Sequence, residues 1–191
     1  MFYPKNAAIG DKGAVETPFP GRSVPHASHR IAVVVVPKDP DSELSAALEE
    51  QLMISLEREE IALTRGQAGP NAEFLVRGGF RRFRVDRPQR PVLYGNRLGG
   101  FRAECPACGG NVAGSLGAIL DQWRRGEGRA SPCEHCGEIH LFESWRYSPS
   151  AAPGRWALFV TQVESPELTP EGLGFLESQL GMSLTQVVSR G

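Results

Sequence analysis

Ile31-Ala-Val-Val-Val-Val-Pro37, then Asp39-Pro40-Asp41, then Leu44, Leu48, Leu52 and Leu56 at four-residue steps: this stretch decides how the rest of the chain is read. Two heavy atoms on Cβ make valine stiff in a helix and well suited to a pleated surface, so the valine run predicts a strand. The run is continuously apolar rather than alternating. Such a strand is covered on both faces and belongs in the middle of a sheet. Asp41 behind Pro40 reads as a helix N-cap. The four leucines then form the buried stripe of an amphipathic helix, with Glu43, Glu49 and Glu50 turned to water.

The other end of the chain carries the same pattern. Trp156-Ala-Leu-Phe-Val-Thr161 predicts a strand. Thr169-Pro170-Glu171 is a helix start, with a hydroxyl N-cap, proline at the first helical position and an acid in the first turn. Leu173, Leu176 and Leu180 supply a buried stripe, Gly181 a C-cap, and Leu184 to Val188 a last strand. Residues 49–56 and 177–184 match at five of eight positions, and Arg30, Ala32 and Val35 recur as Arg155, Ala157 and Val160. Either a strand–helix unit is duplicated, or two amphipathic helices of similar composition coincide.

Between these ends the local signals predict a strand at Ile61–Thr64, closed by Gly66. They also predict a hairpin of Phe74–Val76 with Phe80–Val85 about Gly78-Gly79, and a short strand at Val92–Tyr94. The resulting layout is an extended Pro- and Gly-rich arm over 1–30 and an α/β part with an arginine-rich hairpin over 31–100. A four-cysteine insertion with its own helix follows over 101–147, and a C-terminal strand–helix unit over 155–191 completes the α/β part. The expected class is α+β, a small sheet with packed helices and one inserted subdomain.

Composition agrees with a folded chain. Of 191 residues, 40% are hydrophobic and 23% charged, which excludes a disordered chain and a collagen-like fibre. No apolar run exceeds Ile31–Val36, so no membrane span is expected, and residues 1–30 hold no apolar core of the signal-peptide kind. Positive and negative charges nearly cancel, at 21 against 22, but they are segregated. Lys38 to Glu60 holds eight acids against two bases, and Arg77 to Arg102 holds eight arginines against one acid, Asp86. Such blocks face different partners or face each other.

The four cysteines come as two close pairs, Cys105-Pro-Ala-Cys108-Gly-Gly and, after 24 residues, Cys133-Glu-His-Cys136-Gly. Two residues between cysteines let both sulfurs of a pair point to one centre from a tight turn. The glycine that follows lets the backbone curl so that its amides face the sulfurs. Two such turns make a tetrahedral thiolate cage, which suits Zn2+. Cys105, Cys108, Cys133 and Cys136 are therefore the expected metal ligands. Four protein thiolates leave no open position for water or substrate, so the metal is expected to be structural. His135 and His140 lie beside the cysteines and His26 and His29 in the arm, and none is needed as a ligand. His135 is expected to point outward. A disulfide switch and an iron site are the competing readings of the same thiols, and each fits a reducing cytoplasm as zinc does.

The two C-x-x-C-G knuckles resemble those of the zinc-ribbon superfamily over residues 101–143, under a quarter of the chain. That superfamily includes nucleic-acid binders, enzyme appendages and protein-docking modules, so the resemblance implies a structural zinc and leaves the task open. The segment between the knuckles departs from a plain ribbon. Leu116, Ile119, Leu120 and Trp123 share one helical face, Ser115 can cap its start and Gly126 can end it.

Arg77, Arg81, Arg82, Arg84, Arg87 and Arg90 are interleaved with Phe74, Phe80, Phe83 and Tyr94. Guanidinium groups take phosphate and aromatics stack bases, so this block is a candidate nucleic-acid surface. Its alternative is a core of phenylalanines with a solvated arginine face. No nucleophile elbow, metalloprotease helix, phosphate loop or dinucleotide fingerprint occurs. The expected function is thus a non-enzymatic, cytoplasmic, bacterial zinc protein that recognises another protein as adaptor, regulatory subunit or inhibitor. Glu50, Glu57 and Glu60 are candidate partner contacts, and nucleic-acid binding through the arginine block is the alternative.

Overall fold

The computed structural model describes residues 31–95 and 100–190. The expected arm over 1–30, with His26 and His29, lies outside the described residues, as does Arg97. The class is α+β. In chain order the elements are β1 (Ile31–Pro37), α1 (Ala46–Arg58), β2 (Arg82–Asp86), β3 (Val92–Gly95), β4 (Arg102–Glu104), α2 (Leu116–Arg124) and β5 (Ala130–Pro132). There follow β6 (Ile139–Leu141), β7 (Arg146–Ser148), β8 (Ala151–Gly154), β9 (Ala157–Thr161), α3 (Pro170–Leu180) and β10 (Leu184–Arg190).

The valine run is the middle of the main sheet, whose strand order is β10-β1-β9-β2. Every neighbouring pair is antiparallel: β1 with β10, β1 with β9, and β2 with β9. All four valines are fully buried. Alternation along the strand sends Val33 and Val35 to the side covered by α1 and α3. It sends Val34 and Val36 to the opposite side, where Tyr94, Ala152 and Val187 meet them. Each buried valine stabilises the fold by roughly 1.5–3 kcal/mol relative to an exposed one.

Because β1 and β2 are each antiparallel to β9, they are parallel to each other, and β9 runs between them. The same holds for β9 and β10, with β1 between. The sheet is therefore two split β-α-β units, β1-α1-β2 and β9-α3-β10, interleaved. Exchanging β1 with β9 and β2 with β10 leaves the strand order unchanged. Ala32 and Val35 of β1 and their counterparts Ala157 and Val160 of β9 thus stand on exchangeable strands, whereas 49–56 lies wholly within α1 and 177–184 runs from the last turn of α3 into β10.

Helix starts follow their side chains. Thr169 Oγ1 accepts from Gly172 N–H at 2.9 Å, as its sequence implies, and Gly181 ends α3 at φ 65°. At α1 the N-cap is Ser45, whose Oγ accepts from Leu48 N–H at 3.1 Å, and not Asp41. The Asp41 carboxylate is engaged elsewhere, as described below. Leu52 and Leu56 of α1 pack with Leu176 and Leu180 of α3 over the sheet.

The expected strands and hairpin between Ile61 and Val85 also differ from the structure. Ile61–Thr64 is not a strand: Ala62 makes a single bridge to Ala68, and a 3-10 turn follows at Thr64–Gly66. Phe74 closes another 3-10 turn, Ala72–Phe74, and Val76 bridges to Leu168. There is accordingly no arginine-rich hairpin about Gly78-Gly79: β2 takes β9 as its partner. A turn sequence reports where a chain can reverse, whereas strand pairing is decided by which apolar surface is available, here from the distant end of the chain.

The insertion leaves the sheet after β2 and returns at β9. Its stalk, β3 paired with β8, lies across the sheet's second face. Its outer part has two small two-stranded sheets, β4-β7 and β5-β6, with α2 between the knuckles. That part has its own core, formed by Leu116, Ile119, Leu120 and Trp123 of α2 with Phe142 and Trp145. Ser115 precedes α2, but its hydroxyl donates to Glu134 Oε2 at 3.1 Å instead of capping the helix. Among the described residues, no helix is long and apolar enough to cross a membrane.

Candidate metal centre

The two knuckles are local copies of each other. Cys105 N–H donates to Gly110 O and Gly109 N–H to Cys105 O. Cys133 N–H likewise donates to Glu138 O and Gly137 N–H to Cys133 O. The closing glycines, Gly109 and Gly137, stand at φ 71° and 78°, in the left-handed region where a side chain costs energy. Each turn buries its first cysteine and exposes its second. Amides face the sulfurs: Gly110 N–H points at Cys108 Sγ and His135 N–H at Cys133 Sγ, both at 3.4 Å.

All four sulfurs lie within 4.8 Å of one another. Across the knuckles, Cys105 Sγ and Cys136 Sγ are 3.8 Å apart, as are Cys108 Sγ and Cys133 Sγ. Zn–S bonds of about 2.3 Å place the corners of a tetrahedron about 3.8 Å apart, so the cage fits that ion. The thiols respond to crowding. Burial pushes the Cys133 thiol up, yet the amides of His135 and Cys136 and the adjacent sulfurs outweigh it and bring it down to about 7. At Cys136 the Glu138 amide pulls downward, but burial and three neighbouring sulfurs prevail and push it up to about 12. These four cysteines can hold a metal ion and are consistent with a zinc-ribbon-like site.

His135 is exposed as expected, but it also reaches across the cage. Its ring lies against Gly110 of the other knuckle, and its Nε2, which must carry the proton, donates to Asn111 O at 3.0 Å. His140 is largely buried, with Nε2 3.7 Å from Glu138 Oε2. Neither belongs to the sulfur cluster.

Besides the stalk, the β1–α1 loop ties the insertion to the main sheet, chiefly through Asp41. Asp41 Oδ1 accepts from Trp123 Nε1 at 2.9 Å and from Arg155 Nε at 3.2 Å, and Asp41 Oδ2 faces Arg129 Nε at 3.0 Å. Arg129 also pairs with Glu143 at 2.6 Å. Trp156 Nε1 donates to Ser42 O at 3.1 Å in the same loop. The chain pattern of Asp41 is that of a helix cap, so no local signal marks this contact.

The arginine block is divided. Arg82 and Arg84 share the exposed face of β2, as alternation implies, and Phe83 is buried between them. The Arg84 guanidinium lies 4.0 Å over the Phe159 ring and pairs with Asp86 at 3.1 Å. Arg87 pairs with Glu49 of α1, so the basic and acidic blocks meet there. Phe80, Phe83 and Tyr94 are core residues and offer no stacking surface. Arg77, Arg81, Arg82 and Arg90 are exposed and, among the described residues, have no carboxylate within ion-pair distance. Glu50, Glu57 and Glu60 are exposed as expected, and Ile54, one turn from both Glu50 and Glu57, is 57% exposed.

A hollow of about 570 Å³ escapes sequence reading. It is lined by Ile61, Pro70, Asn71, Phe74 and Phe175, with Glu59 and Glu73 beside them. Phe74 meets Phe175 edge-to-face, with centroids 5.9 Å apart, yet remains 42% exposed. Phe74 reads locally as a strand residue, and its distant partner is invisible in the sequence. Comparison of the chain with protein-family models, with curated proteins and with solved structures finds no match.

Proposed function

We propose that this is a non-enzymatic zinc protein of the reducing cytoplasm that acts by recognising another protein. The observation that carries the reading is the hollow at Phe74 and Phe175, an aromatic surface bordered by Glu59 and Glu73 and close in sequence to the exposed Glu57 and Glu60. Exposed aromatic side chains in a concave site are the usual anchors of protein recognition, and the carboxylates suit a partner segment that sets a basic residue beside an apolar one. Zinc in this reading is structural: four thiolates fill its coordination sphere, so it holds the insertion together and takes no part in chemistry. Native mass spectrometry of the protein from its own cells tests the reading. A one-zinc species with a stoichiometric protein partner is expected, lost on Phe74→Ala and kept on Arg82→Gln. A partner retained by Phe74→Ala overturns the assignment of the hollow.

Nucleic-acid binding is the second reading, favoured by the unpaired Arg77, Arg81, Arg82 and Arg90 among the described residues. It demands an affinity that falls steeply with salt, with a log–log slope of about one unit per phosphate contact.

A further inference from the structure

The open edge of the main sheet carries a second concave site that differs in chemistry from the Phe74 hollow. It is a notch of about 560 Å³ lined by Gln67, Ala68, Arg81, Arg82, Thr161 and Gln162. The backbone holds it on both sides. Arg81 N–H donates to Thr161 O at 3.0 Å, Ala68 N–H donates to Arg81 O at 3.2 Å, and Gln67 bridges to Arg82. Residues paired across antiparallel strands share a face. Gln67, Arg82 and Thr161 therefore stand side by side in one row on the sheet face turned away from α1 and α3.

The charge of this notch is one-signed. Its lining residues include two consecutive arginines, two glutamines and Thr161, whose hydroxyl already donates to Arg82 O at 3.2 Å, and no carboxylate. Arg84 and Arg87, the next arginines along the chain, are taken by Asp86 and Glu49, while Arg81 and Arg82 have no such partner among the described residues. The two turns that wall the notch are also unusual. Arg65, in the turn leading to Gln67, and Gln162 itself stand at φ 63° and 57°, a left-handed conformation that costs a long side chain about 1 kcal/mol or more and recurs at ligand clamps.

We propose that this notch binds a small phosphorylated ligand. Phosphate presents several acceptor oxygens and up to two negative charges, which match two guanidinium forks supplemented by neutral donors. The volume lies in the range of small-molecule sites. A single-stranded polymer fits less well, because no aromatic residue lines the notch and the exposed Phe74 belongs to the other hollow, so bases find no stacking platform beside Arg81 and Arg82. This site is independent of the protein-recognition reading: either can fail without the other.

Calorimetric titration of the zinc-loaded full chain with inorganic pyrophosphate at fixed ionic strength tests the proposal. Saturable 1:1 binding is expected, weakened about tenfold or more in R81Q/R82Q and unchanged in R90Q, which alters an exposed arginine outside the notch. All three arginines are exposed, so zinc content and circular dichroism should be unaltered in both variants. No binding by the wild type overturns the proposal, and so does equal binding by wild type and R81Q/R82Q. A single-stranded oligonucleotide that binds in an R81Q/R82Q-sensitive way while pyrophosphate does not also overturns it, and moves these arginines to the nucleic-acid reading.

Discussion

A β-carbon on Gly110 would stand 2.3 Å from His135 Cδ2, closer than non-bonded carbons approach, and the contact joins one knuckle to the other. With the Nε2 bond to Asn111 O, it makes His135 a clamp across the cage rather than a ligand. Gly110→Ala is expected to destabilise the insertion by about 1–3 kcal/mol through overpacking, and His135→Ala by about 1 kcal/mol through the lost hydrogen bond. The double variant should cost less than the sum, because removing the ring removes the clash. Chelator competition and thermal unfolding of the four proteins check this. At this scale the sequence was informative about the cysteines, whose chemistry depends on spacing within a turn. It gave only an outward direction for the histidine and missed its contact with the other knuckle, because that depends on how the two turns meet.

At the scale of elements, Asp41 joins its own β1–α1 loop to α2 through Trp123, to the α2–β5 loop through Arg129 and to the β8–β9 turn through Arg155. Burial pushes its carboxyl up. The Trp123 hydrogen bond and the Arg129 and Arg155 guanidinium groups outweigh that and hold it below its ordinary value near 3.8. A carboxylate whose folded pKa is depressed stabilises the fold fully above the unfolded value and loses that contribution as pH falls through the folded one. Asp41→Asn keeps an acceptor for Trp123 but loses both ion pairs. It is expected to cost about 1–2 kcal/mol at pH 7, a figure kept small because the carboxylate is partly exposed. The wild-type-minus-variant difference, read by urea unfolding, should stay constant from neutral pH down to about 4 and shrink below it. A difference that shrank at higher pH would assign the contact to another group. Asp39-Pro40-Asp41 looks like a helix start in sequence, and Ser45 holds that place, because the fold gives Asp41 three stronger donors than a free amide.

Across the whole molecule there are separate cores. The cluster under α1 and α3 contains Val33, Leu52, Leu158 and Leu176 and nothing from 101–147, whereas the cage cysteines Cys105 and Cys133 belong to the cluster around Trp123 and Phe142. Metal removal, or Cys105→Ser or Cys133→Ser, should therefore act on one core. Hydrogen exchange after treatment with a metal chelator is expected to show lost protection over 101–147. Protection of β1, β9 and β10 should persist, because their hydrogen bonds are made among themselves and with β2. Loss of protection throughout would show that the sheet depends on the metal. A serine variant that kept its zinc would remove the cage assignment altogether.

Signals that act over a few residues were legible in the chain itself. These are the valine run as a central strand, Thr169 and Gly181 as the ends of α3, the helix between the knuckles, and four thiols spaced for one metal. Each depends on backbone preference, on period, or on ligands brought together by a single turn. Tertiary structure alone decided the rest. It gave β2 to β9 instead of a neighbouring hairpin and interleaved the two β-α-β units. It turned Asp41 from a cap into a joint, and brought Phe74 to Phe175 and Arg82 to Gln67. In every one of these the partner lies far along the chain, and the choice among partners is made by complementary surfaces and charges that exist only once the elements have packed.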